Sequence, residues 1–120
     1  MTTATTEPRK IRLAAHQLAP LQQAAAVRTV VLSTLLRTIL EDFLPILRQG
    51  RISTHNRGGV WEVPEALQHA MDAPLGERTS VRLPRSIINE VNIEAAGLQV
   101  SRNTIFVLAV EYFLLTNDLL

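Results

Sequence analysis

The residues best equipped for chemistry in this 120-residue chain are its cations, and nearly all of them are arginine. Lys10 is the only lysine among the 12 basic residues. A guanidinium is a planar fork of donors that can give two parallel hydrogen bonds to paired acceptors, such as phosphate oxygens or the O6 and N7 of a guanine. A genome rich in G and C would favour arginine through its codons, so the preference alone decides nothing. The spacing says more. In Glu77-Arg78-Thr79-Ser80-Val81-Arg82-Leu83, polar and apolar residues alternate. Period two puts Arg78, Ser80 and Arg82 on one side of a strand and Thr79, Val81 and Leu83 on the other. Lys10-Ile11-Arg12-Leu13 repeats the alternation.

Other chemistries find less support. Without cysteine there are no disulfides and no thiolate metal sites. His16, His55 and His69 are far apart in sequence and in no metal-ligand spacing, so each is expected to be a solvent-exposed or capping side chain, with no metal and no cofactor. There is no nucleophile–base arrangement and no phosphate loop, and Glu41-Asp42, the one adjacent carboxylate pair, reads as a solvated helix face. An enzyme is therefore not expected, nor is a small-molecule ligand. The net charge of +1 excludes a protein that coats nucleic acid indiscriminately. Hydrophobic residues make up 47% of the chain, enough for a core. The N-terminus lacks the apolar stretch of a signal peptide, and charges interrupt every apolar run before the ~18–20 residues that a bilayer crossing needs. No membrane partner is expected, and a cytoplasmic location is the simplest reading.

The elements that would position the cations come from an internal repeat. Shifting the chain by 70 positions aligns Ile11–Leu44 with Val81–Leu114 without a gap. Arg12/Arg82, Leu13/Leu83, Ala25/Ala95, Ala26/Ala96, Val30/Val100, Thr34/Thr104, Glu41/Glu111, Phe43/Phe113 and Leu44/Leu114 are identical. In the second copy the strand ends at Pro84, which suits the first turn of a helix. Ile88, Val91, Ala95 and Ala96 give that helix its apolar face from Arg85 to Ala96, and Gly97 is expected to stop it. Ser101 should cap a second helix from Arg102 to about Thr116, apolar nearly all round and so buried on most sides. The first copy predicts a strand around Lys10–Leu13, a helix from about Gln17 to Val27 that Pro20 would start near Ala19 by taking its first position, and a second helix from about Val30 to Leu47. Between the copies, Gln49-Gly50-Arg51 and Asn56-Arg57-Gly58-Gly59 read as turns, Pro64 to Ala73 as a short helix, and Trp61 as a core anchor. The organisation expected is a disordered segment 1–8, a first unit 9–47, a linker 48–76 and a second unit 77–120.

Strand, helix, short turn and helix within about 40 residues, with Thr79-Ser80-Val81-Arg82-Leu83-Pro84 and Gly97-Leu98-x-x-Ser101-Arg102 as the most specific stretches, resembles the ribbon-helix-helix superfamily of the Arc and MetJ repressors. The resemblance covers Glu77–Leu115 directly and Arg9–Leu47 through the repeat. It implies a mainly α fold with a short two-stranded antiparallel β-ribbon. In that family two units pair their strands and interlock their helices, and the ribbon enters the major groove. With both units in one chain, the expectation is a tandem arrangement forming an intramolecular pseudo-dimer.

Carried over residue by residue, Lys10, Arg12, Arg78, Ser80 and Arg82 are the expected base readers, with Pro8 matching Arg78. The N-terminal ends of the second helices are expected to hold phosphate, through Ser101, Arg102 and Asn103 in the second unit and Arg28, Thr29 and Ser33 in the first. Double-stranded DNA is the expected partner, with self-association on adjacent sites to compensate for the low charge. The resemblance implies a sequence-specific transcriptional repressor in a bacterial cell, nucleoid- or plasmid-associated. An accessory protein of plasmid conjugation, a relaxosome or partition would make the same contacts. An antitoxin-like protein-interaction module is the alternative of another class.

Overall fold

Alternation along the two cationic segments becomes a ribbon. A computed structural model of the chain describes residues 6–56 and 65–119. Strand β1 (Thr6–Ala14) pairs antiparallel with β2 (Leu75–Pro84), a two-stranded sheet with its irregularity between Arg12 and Ala14. Five helices complete the described fold: α1 (Leu18–Val27), α2 (Leu32–Asn56), α3 (Glu65–Asp72), α4 (Arg85–Leu98) and α5 (Arg102–Thr116). Ile11, Leu13, Val81 and Leu83 are buried beneath the ribbon, in one continuous core with Leu36, Leu40, Leu108 and Leu114.

Packing is crossed. β1 lies on α5 and β2 on α2, while α2 also packs on α4 and α5. Each strand therefore covers the far half of the chain. Helix α5 is buried at every position from Ile105 to Glu111, as expected of a helix apolar all round. Helix α2 buries only one face. Arg37, the match of Val107, is exposed and pairs with exposed Glu41 at 2.8 Å. The asymmetry comes from α3, which packs on α5, with Ala70 in a small second core against Ala14 and Val107.

The chain departs from its sequence pattern at several places. Thr6, Glu7 and Pro8, expected to be disordered, are strand residues opposite Pro84, Leu83 and Arg82. Pro20 is the third residue of α1, where a missing N–H is equally harmless because first-turn donors have no partner inside the helix. Pro84 precedes α4 as its cap instead of opening it. Helix α2 runs past Leu47 through Gln49-Gly50-Arg51, so the expected linker begins as helix and ends as strand at Leu75 and Gly76. Its apolar face, Phe43, Leu44 and Leu47, carries the helix through Pro45, despite the lost hydrogen bond there. The turn expected at 57–59 and the Trp61 anchor lie outside the described residues.

Gly97 is no stop. Helix α4 passes through it, and Gln99 takes the left-handed turn with φ 58°. Its N–H donates to Ala96 O and that of Val100 to Ala95 O. Seventy positions earlier, Thr29 takes the same turn with φ 54°, and Thr29 and Val30 donate to Ala26 O and Ala25 O. These overlapping bonds satisfy helix-end carbonyls and hold two residues without glycine's freedom in a region that costs them about 1–2 kcal/mol. Gln99→Gly is accordingly expected to raise the denaturant midpoint by the equivalent of about 0.5–1 kcal/mol, after glycine's extra unfolded-state entropy. A lower midpoint would show that the turn carries no strain.

No single helix among the described residues is long and apolar enough to cross a membrane. Helices α4 and α5 would suffice together, but they meet at 101° and α5 is largely buried.

Candidate nucleic-acid interface

The pairing register decides what the ribbon presents. Lys10 lies opposite Ser80, Arg12 opposite Arg78 and Pro8 opposite Arg82. These six are exposed on the outward side. Four of them are cations and none is acidic, so a chain with a net charge of +1 concentrates positive charge here. The acid at this end of β1, Glu7, has the inward parity of Ile11. It is held by Arg85, at 2.8 Å, and by Arg9, at 2.8 Å. The hydrogen bond from Arg85 is the main cause that keeps its carboxyl below the usual carboxylate range.

Two outward arginines lie along the partner strand. Arg12 donates its Nε–H to Gly76 O at 3.0 Å, and Arg82 donates to Thr6 O at 3.2 Å and Thr6 Oγ1 at 3.3 Å. Gly76 and Thr6 are themselves 70 positions apart, as are Arg12 and Arg82.

The ribbon is braced by the first turns of α2 and α5. Asn103 Oδ1 accepts from the Arg12 N–H at 2.8 Å, and Asn103 Nδ2 donates to Arg12 O. Ser33, the match of Asn103, accepts the Arg82 N–H at 2.9 Å. Sequence reasoning assigned Ser33 and Asn103 to phosphate, whereas here their side chains serve the backbone on either side of the ribbon. They hold both arginine positions at fixed distances from the helix ends.

Of the remaining phosphate candidates, Ser101 caps α5 by accepting from Thr104 N–H at 3.1 Å. Arg102 is exposed beside it. One concavity is lined by Lys10, Arg12, Arg78, Ser101 and Asn103, and a second by Arg9, Lys10, Asn92, Arg102 and Asn103. Lys10, Arg12 and Arg78 thus share a surface with the start of α5, while Arg82 lies toward the start of α2. The first unit differs. The Arg28 guanidinium stacks on Phe113, 4.8 Å from the ring centroid, and Thr29 Oγ1 donates to Arg28 O. Val31 and Leu32 stand where the second unit has Ser101 and Arg102.

No family model, curated protein or solved structure matches the chain.

A second cluster was hidden by sequence distance. His16 and His69 meet at Glu111, which is fully buried. His16 Nε2 lies 2.8 Å from Glu111 Oε1, which also accepts from Gln17 Nε2 at 2.9 Å. Buried Gln17 is fully engaged, accepting from Ala14 N–H and donating also to Val107 O. His69 Nε2 comes within 2.7 Å of Oε2, yet off the line of a ring N–H, so that oxygen has no aligned hydrogen bond. Only the Glu41/Glu111 identity pointed here, and the two glutamates have opposite fates: Glu41 is solvated, while Glu111 lies under α3.

Burial pushes the Glu111 carboxyl up, but the bonds from Gln17 and His16, with the His16 charge and His69, outweigh it and leave the group below the usual carboxylate range. A depressed folded-state value means stability that is present above the unfolded value and lost as pH falls through the folded one. Glu111→Gln is expected to cost about 1–3 kcal/mol at neutral pH, because the amide oxygen can replace Oε1 toward Gln17 but its NH2 then replaces Oε2 beside His69, and the charge that His16 faces is lost. It should also flatten the loss of stability below about pH 5. Urea denaturation across pH checks both; an unchanged acid limb in the variant would refute the assignment.

Proposed function

We propose that the chain binds double-stranded DNA by laying the outward face of the ribbon into the major groove, as a tandem ribbon-helix-helix protein whose two units form an intramolecular pseudo-dimer. The strand register carries this reading. Exchanging each residue for its repeat mate turns Lys10↔Ser80 into itself and Arg12↔Arg78 into Arg82↔Pro8. A pseudo-two-fold axis through the central pair follows, as two like units paired as a dimer would have. The crossed packing, the Ser33 and Asn103 braces and the left-handed turns at Thr29 and Gln99 support it, each occurring in copies 70 positions apart.

A major groove about 12 Å wide admits a two-stranded ribbon. Arg12 and Arg82 are the bidentate readers, Lys10, Ser80 and Arg78 the other base contacts. The bonds that Arg12 and Arg82 release from Gly76 and Thr6 are exposed and worth about 0.5–1.5 kcal/mol each. Phosphate is held at the start of α5 by Ser101, Arg102 and the helix N–H groups, with the positive dipole end behind them. Arg28 and Thr29 give the first unit a weaker counterpart. Pro8 faces one half-site where Arg78 faces the other, so the DNA target is asymmetric. Occupation of such a site in the cytoplasm, on nucleoid or plasmid DNA, would repress transcription.

Selection of duplexes from a random pool, followed by fluorescence anisotropy over a salt series, tests the reading. A defined asymmetric motif is expected. Arg102→Ala should weaken all duplexes alike and reduce the salt slope by about 1. Absence of any motif, with affinity near the non-specific 10⁻⁴–10⁻⁶ M level that is typical at physiological salt, on the order of one bare phosphate-contacting surface, would overturn it.

A further inference from the structure

We propose that His16, His69 and Glu111 form a binding site for a first-row divalent transition metal, Zn²⁺ being the natural occupant. The three donors come from three separate elements: the turn between β1 and α1, helix α3 and helix α5. Their ligating atoms lie within 4.8 Å of one another. Two imidazole nitrogens and one carboxylate oxygen are a donor set that suits zinc with an open fourth position, and it is too nitrogen-rich for Mg²⁺ or Ca²⁺.

A simple ion pair explains less of the geometry. Glu111 is buried completely, and burying a carboxylate is costly unless its oxygens are well satisfied. Oε1 is satisfied, by Gln17 and His16. Oε2 is not, although His69 Nε2 sits only 2.7 Å away. Zinc bonds of ~2.0–2.1 Å would seat two such ligand atoms about 3.3 Å apart, so loading the site needs only a small outward swing of the exposed His69 ring, and the ion would then satisfy Oε2. Both histidine side chains remain partly exposed, 37% for His16 and 60% for His69, which leaves an entry path and room for solvent ligands. Gln17, bonded to Oε1 and to Val107 O, holds the carboxylate in orientation from behind. A bound ion would clasp α3 to α5 and to the end of β1. Among the described residues Glu41, the match of Glu111, has no such clasp: it is exposed and pairs with Arg37.

The test is titration of the full-length, untagged and chelator-treated protein with Zn²⁺ by calorimetry and with Co²⁺ by visible absorption. One equivalent per chain is expected, with Co²⁺ bands of low-symmetry nitrogen–oxygen coordination and a rise in Tm on metal addition. His69→Gln and His16→Ala should each abolish stoichiometric binding while far-UV circular dichroism of the metal-free protein stays unchanged. His55→Ala, which removes the remaining histidine, should bind like the parent, and excess Mg²⁺ should not compete. Failure to bind one equivalent would overturn the site, as would binding that survives loss of both His16 and His69. DNA binding plays no part in either readout, so this result stands or falls apart from the proposed function.

Discussion

Replacing Arg82 by alanine is expected to erase base preference at one edge of the selected motif and to lower affinity for that motif by roughly 5- to 150-fold, the equivalent of about 1–3 kcal/mol for one bidentate contact. Arg12→Ala should do the same at the other edge. Asn103 and Ser33 fix the two backbone positions independently, and the residues do not touch, so the double variant should show nearly additive losses. Arg82→Lys separates charge from geometry. It keeps the cation but loses the planar fork, so non-specific affinity should hold while discrimination falls. Anisotropy with matched and mutated duplexes reads all four variants. Equal weakening on every sequence would mean that the ribbon touches only phosphate.

The second large effect concerns the core. Leu36, from the first half of the chain, and Leu108, from the second, are both fully buried in one cluster. Leu36→Ala is expected to cost about 2–5 kcal/mol. Given the crossed packing, that loss should not confine itself to the first unit. Circular dichroism and proteolysis at sites in either half should report one shared transition, moved to lower denaturant with the slope preserved. Two separated transitions, with the second half keeping its parent midpoint, would contradict a shared core.

Much of this fold was legible in the residues. Period-two alternation located both strands, and the alignment of Ile11–Leu44 with Val81–Leu114 located four helices and the outward cations. What the sequence hid had physical causes. Gly97 advertised a helix end, but the turn formed where overlapping carbonyl bonds could close, at Gln99 and Thr29, and tertiary context outweighed local preference. Gln49-Gly50-Arg51 looked like a turn because its residue types favour one, yet the apolar face of α2 carried the helix onward. Ser33 and Asn103 were legible as polar residues at helix starts; that they brace the ribbon depends on crossed packing, which no local pattern encodes. The meeting of His16 with His69 depends on α3 lying across α5, a contact between segments far apart in the chain.

The linkage of β1 and β2 in one chain bears on how occupancy would respond to dilution. Two separate units would pair only as their concentration allowed, and binding would then fall with the square of protein amount at low levels. Tethered strands see each other at a fixed effective concentration, on the order of millimolar for flexible tethers, whatever the number of molecules in the cell. The ribbon therefore stays assembled at nanomolar levels, and the fraction of sites filled should follow the first power of protein concentration. On the proposed reading, a single copy arriving in a new cell, or left after division, would already carry a paired ribbon.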